Sequence, residues 1–180
     1  MSESEIGLLH DARRGDERAF AALYQRHRTP LFRFAWRLTG SIPIAEDIIQ
    51  ECFLALLRGA AFQGGSLRAY LFGIARHLAG KRLRLGDRES AEVDETDAAA
   101  GPLEALLSIE RSEAVSRAVT ALPPLQREAI VLFEYEDLAL EDIAQVTGVE
   151  IGAVKARLHR ARETLRRRLL PLMTTQGRCS

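Results

Sequence analysis

Apolar residues return along this chain at the period of a helix. From Glu17 onward Phe20, Leu23, Leu31, Ala35 and Leu38 fall on one face, with Asp16 placed to cap the first turn and Gly40 to end the last. Pro30 is expected to bend or interrupt this helix, because proline lacks the amide hydrogen and crowds the preceding turn. After Ser41 a second apolar stripe runs through Ile44, Ile48, Ile49, Cys52, Phe53, Leu56 and Leu57, and its opposite face carries Glu46, Asp47, Gln50, Glu51 and Leu54. Gly59 and the Gly64–Gly65 pair break the pattern. Ser66 then caps a third helix with Leu67, Tyr70, Leu71, Ile74, Leu78 and Leu85 inward, leaving Arg68, Arg76, His77, Lys81, Arg82 and Arg84 as an exposed basic face.

The second half repeats the helical period. Helices are predicted at about Leu103–Ala121 and Pro124–Tyr135, the latter opened by Pro123–Pro124 where proline is tolerated. A short helix from Leu140 to Val146, the turn Thr147–Gly148–Val149 and a long basic helix from about Glu150 follow with the spacing of a helix-turn-helix. On a wheel of about 100° per residue, Val154, Leu158, Ala161 and Leu165 share a narrow sector. Gly152, Ala156, His159, Arg160 and Arg167 lie opposite, with Lys155 and Arg166 at the margin. One face therefore suits the helix's own core, and the other offers small residues and cations to a groove. No run of alternating β-branched and aromatic residues suggests a sheet, so the fold class expected is all-α.

Charge divides the chain into parts. The 180 residues carry 25 basic and 25 acidic side chains, yet residues 1–85 are net +5, residues 86–110 net −7 and residues 111–180 net +2. Residues 148–171 alone are +5. Such local fields matter more than the total, because charges beyond about 10 Å are screened at cellular salt. The stretch GDRESAEVDETDAAAGP from Gly86 to Pro102 has a single β-branched apolar residue and no period, so it reads as a flexible acidic linker. The organisation expected is two small helical domains, residues 1–85 and 103–171, joined by a linker at 86–102 and followed by a tail at 172–180. The second would be a four-helix domain containing the helix-turn-helix.

Other classes find little support. No window approaches the roughly 18 consecutive apolar residues of a membrane span, so a cytoplasmic protein without membrane insertion is expected. Cys52 and Cys179 stand far apart, and His10, His27, His77 and His159 have no ligand spacing, so neither a metal nor any other cofactor is expected. Phosphate-binding loops and nucleophile elbows are absent from the sequence, and no enzyme is expected. Cys52 reads as a small buried hydrophobe.

Three segments in order, AEDIIQECFLALLR, LRAYLFGIARHLAGKRLR and LPPLQREAIVLFEYEDLALEDIAQVTGVEIGAVKARLHRARETLRRRL, make the chain resemble an extracytoplasmic-function sigma factor from about Ala19 to Leu170. The resemblance implies a factor that directs RNA polymerase to particular promoters. The first domain would hold core polymerase through Asp47, Gln50, Glu51 and Leu54, and open the minus-ten element with Phe62, Arg68, Tyr70, Arg76, His77 and Lys81. The second would read the minus-thirty-five element with Lys155, Ala156, Arg157, His159, Arg160 and Arg162. Core RNA polymerase, promoter DNA and an anti-sigma factor are the partners implied. The chain departs from many relatives in having His77 where they have Asn, and Glu150 where they cap the recognition helix with Ser. A carboxylate there suits the helix dipole but repels a nearby phosphate.

Physical chemistry asks for the same parts. Opening DNA without ATP needs a pocket and stacking surfaces for unpaired bases, worth about 1–3 kcal/mol per stacked base. Phe62, Tyr70 and Phe72 are candidates, although Tyr70 and Phe72, two positions apart on a helix, cannot face the same way and either could be core. The competing reading is a stand-alone helix-turn-helix regulator with an N-terminal sensor domain, which the C-terminal half alone would permit.

Overall fold

The computed structural model describes residues 4–59, 62, 65–85 and 112–174, and among these it is helical with no strand. The predicted linker at 86–102, the first part of the helix predicted from Leu103 and most of the tail lie outside the described residues.

The N-terminal half holds α1 (Glu5–Arg13), α2 (Glu17–Thr39), α3 (Ile42–Leu57) and α4 (Leu67–Arg84). Each begins at a side-chain cap that satisfies amides otherwise left unpaired. Asp16 Oδ1 accepts from the Arg18 and Ala19 amides at 2.8 and 3.1 Å. Ser4, Ser41 and Ser66 accept in the same way from Gly7, Ile44 and Ala69. Gly40, at φ 73°, closes α2 in the left-handed conformation that glycine adopts without strain.

In the first two helices the structure differs from the sequence reading. The helix α1 lies ahead of the first predicted one; it is too short to display a period, and it owes its place to Leu8, Leu9 and Ala12, buried against its neighbours. Pro30 does not interrupt α2, because Leu23 and His27 before it and Leu31, Phe34, Ala35 and Leu38 after it are all buried. Burial along both sides offsets the roughly 3 kcal/mol that an internal proline costs.

Around α2 the core closes on aromatic contacts. Phe72 of α4 is buried and meets Phe34 edge to face at 5.1 Å, while Phe53 lies 4.8 Å from the Tyr24 ring. Leu85, expected inward, is 68% exposed because α4 ends at Arg84 and the chain passes beyond the last packed turn.

In the C-terminal half, helix α5 (112–120) precedes α6 (Pro124–Ile130), which continues as a π-helical turn at Val131–Tyr135. Then come α7 (Leu140–Thr147) and α8 (Ile151–Thr174). Gly148, at φ 67°, makes the turn between them. The π turn replaces the last turn of the predicted α-helix. In it the Glu136 amide donates to the Val131 carbonyl at 3.2 Å, and the Leu138 amide to that of Leu132 at 3.0 Å.

The two halves share one connected buried cluster, in which α4 lies against α7 and α2 reaches α6 and the π turn. Polar contacts stitch the seam. Arg76 donates from Nε to Glu128, Arg68 donates to the Glu136 carbonyl, and Arg127 Nη1 reaches the Leu38 carbonyl at 3.4 Å. The Glu136 side chain is 0% exposed and stands 3.6 Å from Arg33 and 4.0 Å from Arg68. Arg37 lies over the Tyr135 ring at 4.1 Å.

Burial pushes the Glu136 carboxyl from an ordinary 4.5 up to about 7, against the pull of Arg33, Arg37 and Arg68. It also raises Glu128, whose cations are Arg76 and Arg157. His27, bonded to Glu5 at 3.0 Å, is lowered by its own burial.

Two predictions follow from the packing and its titration. Phe72→Ala should cost about 3–5 kcal/mol in chemical denaturation, and Tyr70→Ala, at a half-buried ring, clearly less. Glu136 holds more protons packed than unfolded, so the stability it contributes is present below about pH 4.5 and is lost as pH rises through about 7. His27 acts oppositely, losing stability as pH falls below 6.5. The stability of the parent chain minus that of Glu136→Gln isolates the carboxyl and should fall as pH rises over that window; a flat or rising difference would contradict the assignment.

Candidate protein and nucleic-acid interfaces

The outer face of α3 carries Asp47, Gln50, Glu51 and Leu54, displayed because Ile48, Ile49, Cys52, Phe53 and Leu56 turn the helix's other side into the core. Asp47 is 59% exposed, and Leu54 is an exposed leucine among polar neighbours. Glu51 is tied to Arg82 of α4 at 2.8 Å, with Asp47 3.9 Å from the same guanidinium. Beside this face α2 and α3 leave a cleft of about 480 Å³, lined by Tyr24, Arg28, Phe32, Glu46, Ile49 and Gln50. Arg28 lies over the Tyr24 ring at 5.7 Å. Sequence reading misses this cleft, since its two walls come from separate helices and neither wall has a period of its own. Burial pushes the Cys52 thiol up to about 12, so it packs as a neutral group.

On α4 the predicted residues divide. His77 and Lys81 are exposed. Phe62 and Tyr70 are half-buried and form a ring pair at 5.3 Å, while Phe72 belongs to the core. Arg68 and Arg76, expected on an open basic face, are instead turned onto the C-terminal half, because the buried carboxylates Glu136 and Glu128 need cations. Arg82 is likewise spent on Glu51, which leaves Lys81, Arg84 and His77 as the outward polar groups of that helix. Tyr70, Ile74, His77 and Leu78 also face Gln145 and Val146 of α7 across an apolar cleft of about 330 Å³.

The helix α8 presents Lys155, Ala156, His159 and Arg160 to solvent, with Val154, Leu158 and Ala161 buried beneath. A Cβ added at Gly152 would meet nothing within 4 Å, so the fold's own packing does not require the small residue and the surface there is open to another backbone. Arg157 and Arg162, named with this group, are engaged inside the chain. Arg157 is 17% exposed and lies 3.8 Å from Glu128, an ion-pair distance. Arg162 donates to Glu134 from Nε and Nη2 at 3.2 and 2.7 Å and covers the Phe133 ring at 5.1 Å. The Glu150 carbonyl accepts from Ala153 and Val154 at the start of α8.

Sequence reasoning also missed Arg33 and Arg37, one turn apart on α2 and facing Glu136, and Glu128, which faces Arg76 and Arg157. The only signal was a charged residue beside each apolar stripe, which ordinarily means a solvated surface. Among the described residues no three His, Cys, Asp or Glu side chains converge as a metal site, and no helix is long and apolar enough to cross a membrane.

These faces have counterparts in known proteins. The family model for Sigma-70 region 2 matches residues 23–89, and that for Sigma-70 region 4 matches residues 112–165. The chain is 30% identical to the ECF RNA polymerase sigma factor SigW of Bacillus subtilis, over 91% of this chain and 96% of that one. It is 32% identical to the RNA polymerase sigma-H factor of Pseudomonas aeruginosa, over 95% and 96%. The sigma factor RpoE of Bartonella quintana, solved in complex with the anti-sigma factor NepR, superposes with a TM-score of 0.67 at 26% identity, covering 83% of this chain and 96% of that one. CnrH, solved in complex with the cytosolic domain of CnrY, gives the same score and identity over 89% and 93%. The likeness spans the first half as well as the second, which removes the reading of a stand-alone regulator with a sensor domain. With both regions matched in order and near-full-length relatives at 30% identity or more, the chain belongs to the extracytoplasmic-function sigma factors, which bind core RNA polymerase and direct promoter-specific initiation.

Proposed function

We propose that the two halves of this sigma factor divide its work, the half ending near residue 85 holding core polymerase and opening the minus-ten element, and the half from 103 to 171 reading the minus-thirty-five element. The observation that carries the second role is the two-sidedness of α8: Lys155, Ala156, His159 and Arg160 stand exposed over buried Val154, Leu158 and Ala161. Long donors beside a small residue on an open helix face can enter a major groove and meet base edges or phosphates. Arg157 and Arg162, held by Glu128 and Glu134, position the helix before they could contact DNA.

For the first role, exposed Asp47 and Gln50 with the bare side chain of Leu54 suit a basic protein surface that also buries an apolar contact. Phe62 and Tyr70 offer ring faces to unpaired bases beside Lys81 and His77. The factor acts where polymerase acts, in the cytoplasm, and carries no catalytic group of its own. An anti-sigma factor is its expected regulator, since the structural neighbour RpoE was solved with the anti-sigma factor NepR, and the apolar α4–α7 cleft gives a helix somewhere to lie.

Reconstitution with core polymerase tests this reading. The purified chain should bind duplex promoter DNA weakly alone and direct a specific transcript once core enzyme is added. Arg160→Ala should weaken recognition of the upstream element by about 1–3 kcal/mol, roughly tenfold to a hundredfold, and leave core binding unchanged. Asp47→Lys should weaken core binding about tenfold without altering upstream recognition. Tight operator binding by the chain alone, with no transcript from any template, would reject the reading, and equal effects of both variants on core binding would reject the division of labour.

A further inference from the structure

Lys81, Arg82 and Arg84 place three cations at the end of α4, and at about 100° per residue they cannot all face one partner. Lys81 and Arg84 are exposed. Arg82 continues the inward line of Ala75, Leu78 and Ala79 instead, and its side chain, 31% exposed, turns to α3. There its Nη2 donates to Glu51 Oε1 at 2.8 Å, and Asp47 Oδ2 lies 3.9 Å away. Both carboxylates belong to the face assigned above to core polymerase. One guanidinium from a neighbouring helix thus offsets one of the two negative charges that Asp47 and Glu51 bring to that face.

The pair differs in kind from those of Glu128 and Glu136. Glu51 is 44% exposed and Asp47 59%, so water already solvates both acids and neither needs an internal cation to offset burial. A pair this open adds little to the stability of the fold. Its consequence falls on whatever approaches the face. A basic surface arriving there meets an acid with one oxygen already taken and a like charge beside it.

We propose that Arg82 is an internal competitor for the core-binding carboxylates, a residue that sets the affinity of the α3 face for a basic polymerase surface and makes no contact with DNA. This rests on the assignment of that face to core polymerase and adds to it a residue from another helix. The guanidinium holds Glu51 toward α4 until a cation of the partner shares or replaces it. The face discriminates by this means: only a surface whose cations meet both Asp47 and Glu51 offsets the lost internal pair and the repulsion from Arg82.

The test follows association of the full chain with immobilised core polymerase by interferometry. At low salt Arg82→Gln should bind about threefold more tightly, the gain lying in the association rate and shrinking as salt is raised. Arg82→Lys, which keeps the charge, should restore the parental rate. Arg84→Gln, which removes the same charge from the outward side of α4, should show no such gain. Chemical denaturation should give Arg82→Gln the parental midpoint; a lowered midpoint would make the pair a contact that holds the fold and overturn the proposal. Unchanged or weaker core binding by Arg82→Gln, or an equal gain in Arg84→Gln, would also overturn it. Asp47→Lys in the same series tests the face itself. If core binding survives that change, the assignment of the α3 face fails; if it is lost there while Arg82→Gln gains nothing, the competitor alone is wrong.

Discussion

A carboxylate sealed from water has to find cations, and the placement of Glu136 among Arg33, Arg37 and Arg68 organises much of what surrounds it. The residue sits just past a π turn, which carries the chain out of α6 so that the side chain points into the seam. Glu128, two turns earlier, does the same for Arg76 and Arg157. Because each arginine is anchored in a helix whose other face is core, these contacts set how α4 lies against α7 as well as which charges remain outside.

That arrangement decides what each half can offer a partner. In the first turns of α8 the inward arginine, Arg157, and the tethered one, Arg162, leave Lys155, His159 and Arg160 as outward donors, with Arg166, Arg167 and Arg168 exposed further along. On α4 the seam takes Arg68 and Arg76 and the α3 face takes Arg82. The equal totals of 25 basic and 25 acidic residues thus have a physical counterpart: many of the cations are already spent on the chain's own acids. Affinity for a polyanion follows the number of phosphates neutralised, and cations already paired within the chain add less to it.

Much of the fold was legible before any coordinates. The capping residues Asp16, Ser41 and Ser66 and the stops at Gly40 and Gly148 placed α2, α3, α4 and α7 within a residue or two, since capping is a local hydrogen bond between near neighbours. The stripe Val154, Leu158, Ala161 likewise identified the buried side of α8. The short helix α1 was not legible, having nine residues and a pattern of no clear period. Nor was the π turn, whose hydrogen bonds depend on what the widened backbone packs against. Passage of α2 through Pro30 was hidden for the same reason: propensity is local, and the burial that overrides it comes from other helices.

By itself the sequence determined the helices, their apolar faces and the separation of charge into segments, because each of these is written in spacing along one chain, and its three motif segments carried the resemblance to the family. Which arginines are available to DNA was decided only by the tertiary structure. Arg68, Arg76 and Arg157 look like solvated charges when read along their own helices, and a glutamate more than fifty residues away in the sequence ties each of the first two to the other half. Coulombic attraction depends on distance in space, and that distance exists only once α4, α6 and α7 have packed.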